Sequence, residues 1–219
     1  MSKKFIKIEG SQFSALNGIY EEATNLVNGK KQFLLDANGY VQKIEWHTGY
    51  NQWQIISSGG LAMFVANQDT ESPEDETNAW LVDSDNSGDP ANITLTVINF
   101  PDLIVSLAGT TKVNDRYTVL SVIDNKPRYV RTSQHEIFNS VYINFNKVTK
   151  QWNIEGRANY EGGERPLLYE SESTIDLATP DLVTGWVFDT GVDPLPVFQL
   201  ASNSVLVCNV SVAVKRHRG

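Results

Sequence analysis

The sequence has one cysteine, two methionines and three histidines in 219 residues. A lone cysteine, Cys208, cannot close an internal disulfide, so a disulfide-stapled secreted scaffold is excluded. Within a strand-like segment its thiol is expected to be buried and inert. The histidines His47, His135 and His217 stand at no ligand spacing from a second His or Cys, which leaves a zinc site without support. A Gly-rich phosphate loop and a Gly-x-Ser-x-Gly elbow are both missing. We therefore expect no catalytic, cofactor-binding or metal-binding residues, no cofactor, and a protein that is not an enzyme.

No stretch approaches the roughly 20 apolar residues of a membrane helix, so no membrane partner is expected. The first residues, Met1 to Ile8, carry no long apolar run of the signal-peptide kind. The expectation is synthesis in a reducing cytoplasm, where the glycosylation patterns Asn92-Ile93-Thr94 and Asn209-Val210-Ser211 have no meaning. Positive charge is short, with 18 Lys and Arg against 26 Asp and Glu, a net charge of −8. Such a field repels phosphates, so broad nucleic-acid binding is not expected. The basic run Lys215-Arg216-His217-Arg218 is too short for a binding patch and reads as a solvated tail. Helical periodicity is missing too. Single helical turns are expected only within Glu71 to Asn78 and Leu177 to Thr184, where Thr179-Pro180-Asp181 suits a helix start.

Aromatic residues are plentiful, with five Trp, eight Tyr and nine Phe. Bulky rings fill the thin cores of small β domains. They also expose a repeat, which has to be sought first because missing it misassigns the fold. Gly10, Asn17-Gly18-Ile19-Tyr20 and Asn28 to Phe33 match Gly109, Asn114-Asp115-Arg116-Tyr117 and Asn125 to Tyr129. Ile44-Glu45-Trp46 matches Ile143-Asn144-Phe145, and Trp53-Gln54-Ile55 matches Trp152-Asn153-Ile154. Met63-Phe64 then matches Leu168-Tyr169, Pro73 matches Pro180, and Trp80 matches Trp186. The spacing between copies grows after Trp53 and Trp152, which places extra residues near Asn159 to Glu164, in a loop that absorbs them cheaply.

Each copy is built of short segments. Gln52 to Ile55 and Lys150 to Ile154 alternate polar and apolar, as a strand with one buried face does. Asn28-Gly29 and Asn38-Gly39 mark tight hairpins. The expected fold is all-β: two tandem copies of a small antiparallel sandwich or barrel-like module, residues 1–103 and 104–204, then a C-terminal strand and basic tail, 205–219. A strand at Ile93 to Val97 closes copy one. In Ser204 to Val214, the residues Leu206, Cys208, Val210, Val212 and Val214 form one apolar face. That face is too apolar for an open edge, so Leu206, Val210, Val212 and Val214 are candidates for assembly contacts, with pairing inside the module as the alternative.

Two further patterns invite a ligand reading. Asp83-Ser84-Asp85-Asn86-Ser87-Gly88-Asp89 resembles the start of a calcium loop, but Thr94 stands where the bidentate Glu is required, so a plain acidic turn and no bound calcium are expected. The tryptophans suggest a sugar platform. Yet Trp53 recurs as Trp152 and Trp80 as Trp186, and recurrence at fixed places in a short module favours a core role for all four. An exposed platform would more naturally use a loop aromatic present in one copy.

The order Asn-Gly-x-Tyr, Asn-Gly-Lys, Ile-x-Trp, Trp-x-Ile, aromatic-x-Ser, Thr-Pro, Trp and Asp-Pro-Leu-Pro resembles a small β repeat of bacteriophage structural and tail-associated proteins. Similar repeats occur in giant viruses and in some algal and animal proteins. Copy one carries its beginning. Copy two carries its end, in Leu168-Tyr169-Glu170-Ser171 and Ala178 to Trp186, and together they cover most of residues 9–200. Copy two departs at Asn125-Lys126, where Gly is expected, and at Phe145, where Trp is expected. The resemblance implies a non-enzymatic virion component of a tailed phage: head decoration or fibre, collar, or tail accessory. Its partners would be other virion proteins and further copies of itself. The alternative is a carbohydrate-binding adhesion module with a surface glycan as partner.

Overall fold

The computed structural model describes residues 3–37, 39–76, 80–83, 93–133, 138–158, 166–172 and 174–201. The chain is all-β and forms two antiparallel sheets of eight strands. The first holds β1 (Phe5–Glu9), β2 (Gly18–Val27), β3 (Lys30–Ala37), β4 (Tyr40–His47), β5 (Gln52–Ile56), β6 (Ala62–Ala66), β7 (Leu81–Val82) and β8 (Thr94–Ile98). The second holds β9 (Leu103–Ser106), β10 (Asp115–Ile123), β11 (Lys126–Arg131), β12 (Phe138–Asn146), β13 (Gln151–Ala158), β14 (Leu167–Ser171), β15 (Trp186–Phe188) and β16 (Val197–Leu200). Leu103, placed at the end of the first module by the sequence, is the first residue of β9.

Both sheets are meanders whose last strand returns beside the first: β8 pairs with β1, and β16 with β9. Each curls over its own core. The first core gathers Ile6, Tyr20, Phe33, Ile44, Trp53 and Phe64. The second gathers Leu103, Tyr117, Tyr129, Ile143, Trp152 and Tyr169, and the two share no residue. Across the open side of the second sheet, Trp186 on β15 stacks on Phe198 of β16, with ring centres 4.8 Å apart. That ring contact brings the two sheet edges together where no backbone ladder joins them.

The copies agree in detail. Trp53 and Trp152 lie on the fifth strand of each sheet, at 0% and 1% exposure, and Trp80 and Trp186 are buried beside the seventh strand. Trp53 meets Trp46 edge-on at 5.6 Å, and Trp152 meets Phe145 at 5.4 Å, so phenylalanine keeps the geometry where tryptophan is expected. Asn17 and Asn114 close equivalent loops. Each side-chain amide accepts a backbone N–H and donates to a carbonyl of one residue, Ser11 or Ala108, at 2.8–2.9 Å. Tyr20 and Tyr117 donate their hydroxyls to the carbonyls of Leu16 and Val113.

The first hairpin of copy two forms one residue earlier than the sequence alignment places it. Asp124 and Asn125 hold φ of 51° and 60°, the places taken by Asn28 and Gly29 at 52° and 82°. Asn and Asp tolerate the left-handed region, so a tight turn forms without glycine. The expected helical turns are 3-10 turns, Pro73–Asp75 and Pro180–Leu182. Two more, Ser14–Leu16 and Thr111–Val113, gave no sequence signal, because three residues carry no period. The additional length of copy two falls between β13 and β14, and residues 159–165 themselves lie outside the described residues.

Candidate functional site

The four core tryptophans turn inward, so none of them offers an open ring to a ligand. Leu206, Cys208, Val210, Val212 and Val214 lie outside the described residues, as do Asp85 and Asp89 of the acidic turn. The described chain ends on β16, and β16 occupies in the second sheet the place that β8 occupies in the first. The counterpart of the closing strand at 94–98 is therefore Val197–Leu200, and not the 204–214 segment.

One clamp recurs in both modules. After the first hairpin, the Lys30 ammonium sits 3.7 Å from the ring centre of Trp46 and bonds to Asp69 and to the Thr70 carbonyl. Lys126 sits 5.1 Å from Phe145 and bonds to Asp176 and the Leu177 carbonyl. The Trp53 indole donates to Thr70 Oγ1 at 3.0 Å, and that of Trp152 to the Leu177 carbonyl. The lysine thus ties a long connection to the aromatic pair, a structural task. Burial pushes the hydroxyls of Tyr20, Tyr117 and Tyr129 well above the ordinary tyrosine range, Tyr129 further raised by Asp181 and Asp102. All three are core groups.

The modules meet along a polar seam. The Lys3 ammonium donates to the Leu120 carbonyl and pairs with Glu21, whose carboxylate accepts the Val122 N–H. Asn125 Oδ1 accepts the Ile19 N–H at 2.9 Å. A side chain on Gly18 would come within 2.9 Å of that same oxygen, so the glycine leaves room for the contact. An open cleft of about 460 Å³ beside the seam is lined by Glu21, Gln32, Asp36 and Val122 among others.

A larger groove, about 780 Å³, lies on the outward side of β4 to β7. Inward positions Ile44, Trp46, Trp53 and Ile55 belong to the core, which by strand alternation puts Glu45, His47, Gln52 and Gln54 on the outer face. The register sets Glu45 opposite Gln54 and His47 opposite Gln52. Tyr50, in the β4–β5 turn, walls one end and Leu61 the other; both are exposed. The Tyr50 ring stacks on His47 at 4.7 Å, and its N–H donates to His47 Nδ1. Gln32 donates to the Glu45 carboxylate and fixes its direction. Gln54 lies opposite Glu45 and lines the groove with only 6% of its surface exposed. Sequence reading missed this set because all of its members but Gln52 differ between the copies. The signal was Tyr50 itself, a turn aromatic that copy two replaces with Thr149. Comparison of the chain with known protein families, characterised proteins and solved structures returns no match.

Proposed function

We propose that this chain is a non-enzymatic component of a bacteriophage particle, made in the host cytoplasm and acting through protein–protein assembly. The observation that carries the assembly role is the completeness of the second module at β16. Its fold has already received its returning strand, so the apolar face of 204–214 is surplus to the plan shared by both copies. A segment of that sequence, if it pairs as a strand with a partner's sheet, has its apolar side chains covered and its backbone satisfied together. The virion setting rests on the order of repeat signatures, which resembles that of phage structural proteins. The partners are then other virion proteins and copies of this chain.

The test removes residues 203–219, which spares the Ala201 N–H bond to the Asp102 carbonyl. Sedimentation of the full chain is expected to show an oligomer, and the shortened chain a monomer with an unchanged melting temperature. Unfolding of the second module on truncation would assign the segment to its core. A full chain that stays monomeric and joins no particle would remove the assembly role.

A further inference from the structure

The groove on the outer face of the first module has the makings of a ligand site independent of assembly. Its floor strands β4, β5 and β6 are paired on both sides, so they offer a ligand no free backbone edge. A strand cannot add between these three, so recognition over the floor comes from side chains, and the sheet ends at the two-residue β7 on the groove's far side. Beside the apolar side chains of β6 and β7, two kinds suit a polar ligand. Tyr50 presents a ring that is 71% exposed yet held in place by its stack on His47. Planar amides and carboxylates, Gln52, Gln54 and Glu45, stand in a row beyond it, with Asp83 at the rim.

We propose that this groove binds a neutral oligosaccharide, with Tyr50 as stacking platform and Gln54, opposite Glu45, as polar anchor. A sugar ring has an apolar C–H face that lies on an aromatic plane, and a rim of hydroxyls that both donate and accept. Amides and carboxylates meet such hydroxyls in their own planes. Gln54 and Glu45, facing each other across β5 and β4, offer such hydroxyls an amide and a carboxylate side by side. The five residues of β5 give a floor roughly 17 Å long, room for a short run of sugar rings. Because the ring is already positioned, little side-chain freedom is lost on binding. Glu45, Asp83 and the net charge of −8 oppose carboxylated, sulfated or phosphorylated ligands, which is why the sugar is neutral.

Among the described residues, the second module does not repeat this set. Thr149 replaces Tyr50, Asn146 replaces His47 and caps its own turn, and the Gln151 amide is spent on the Ser171 carbonyl. One copy keeps a plain scaffold and the other bears the platform.

The experiment screens the full chain on an array of neutral gluco-, galacto-, manno- and N-acetylglucosamine oligosaccharides, with sialylated and sulfated ones for contrast. The best binder is then titrated calorimetrically. Wild type is expected to bind a neutral member. Tyr50→Ala should weaken it roughly tenfold or more, as loss of an anchor ring does, with the melting temperature unchanged. Tyr50→Phe should keep most of the affinity, and Gln54→Ala should lower it. Binding of no neutral sugar, preference for the acidic ones, or full affinity in Tyr50→Ala would each overturn the proposal. The chain without residues 203–219 should bind the sugar as wild type does, so failure of this site and failure of the assembly role are read separately.

Discussion

Trp152→Ala puts the two-core architecture to a quantitative test. The indole is 1% exposed, meets Phe145 edge-on at 5.4 Å and donates its N–H to the Leu177 carbonyl. A Trp side chain buries about 150–250 Å², which at roughly 25 cal/mol per Å² is about 4–6 kcal/mol. Alanine retains a small part of that, and the strands relax partly into the space. The expected loss is about 3–5 kcal/mol, the usual range for deleting a large buried ring. At about 4–8 °C per kcal/mol for a domain of this size, the second module should melt tens of degrees lower. The first should not move, since the two cores have no residue in common. Differential scanning calorimetry resolves this as one displaced transition and one fixed, and urea denaturation gives the free energy. A loss below about 1 kcal/mol would refute the packing estimate. A parallel fall of both transitions would refute the separateness of the cores and show that the polar seam makes the chain unfold as one unit.

Asn125→Gly keeps the turn, because glycine also accepts positive φ, but removes the acceptor of the Ile19 N–H. Hydrogen exchange at Ile19 should quicken while the melting temperature of the second module changes little; unaltered exchange would count against the seam contact. Lys30→Met should cost the first module about 1–2 kcal/mol, and Lys126→Met less, since its ring is a phenylalanine at 5.1 Å instead of a tryptophan at 3.7 Å. Urea titration of the two variants checks the order, and equal losses would argue that the salt bridges dominate. Stability should fall as pH rises above about 10, because unfolded tyrosines ionise there while the buried hydroxyls of Tyr20, Tyr117 and Tyr129 hold their protons. Below that pH their contribution is fully present, and a flat melting temperature between pH 9 and 11 would contradict their burial.

The inward half of this protein is readable from sequence because duplication marks it. Tyr20 and Tyr117, Phe33 and Tyr129, or Phe64 and Tyr169 fill equivalent places, and a ring in both copies has one economical explanation, a shared core. The outward half has no such marker. Tyr50, His47 and Gln54 lie on the outer face of the sheet, where nothing forces copy two to match, so comparing copies filters them out. The lysine clamp was within reach: Lys30 and Lys126 each follow the first hairpin, and Asp69 and Asp176 lie at matching places farther on. What hid it was distance along the chain, since only the curl of the sheet brings Asp69 to Lys30. Asn125 was read as a missing glycine. Its second task, holding Ile19 of the other module, is a contact across 106 residues that no local pattern encodes. The closing strand β16 was overlooked in favour of the longer 204–214 run, because four residues ending in Gln199-Leu200 give a weak alternation beside eleven apolar-rich ones.

The adjacency of first and last strands has a practical meaning. With β1 beside β8 and β9 beside β16, each module receives and releases the chain at neighbouring places. Such a unit behaves like a cassette: it can be set into a surface loop of an unrelated protein, or its ends joined and new ones opened at a hairpin, without threading the chain through the core. A module spliced in this way would keep its core and carry its outer face, the groove of the first copy included, to wherever the host protein displays it.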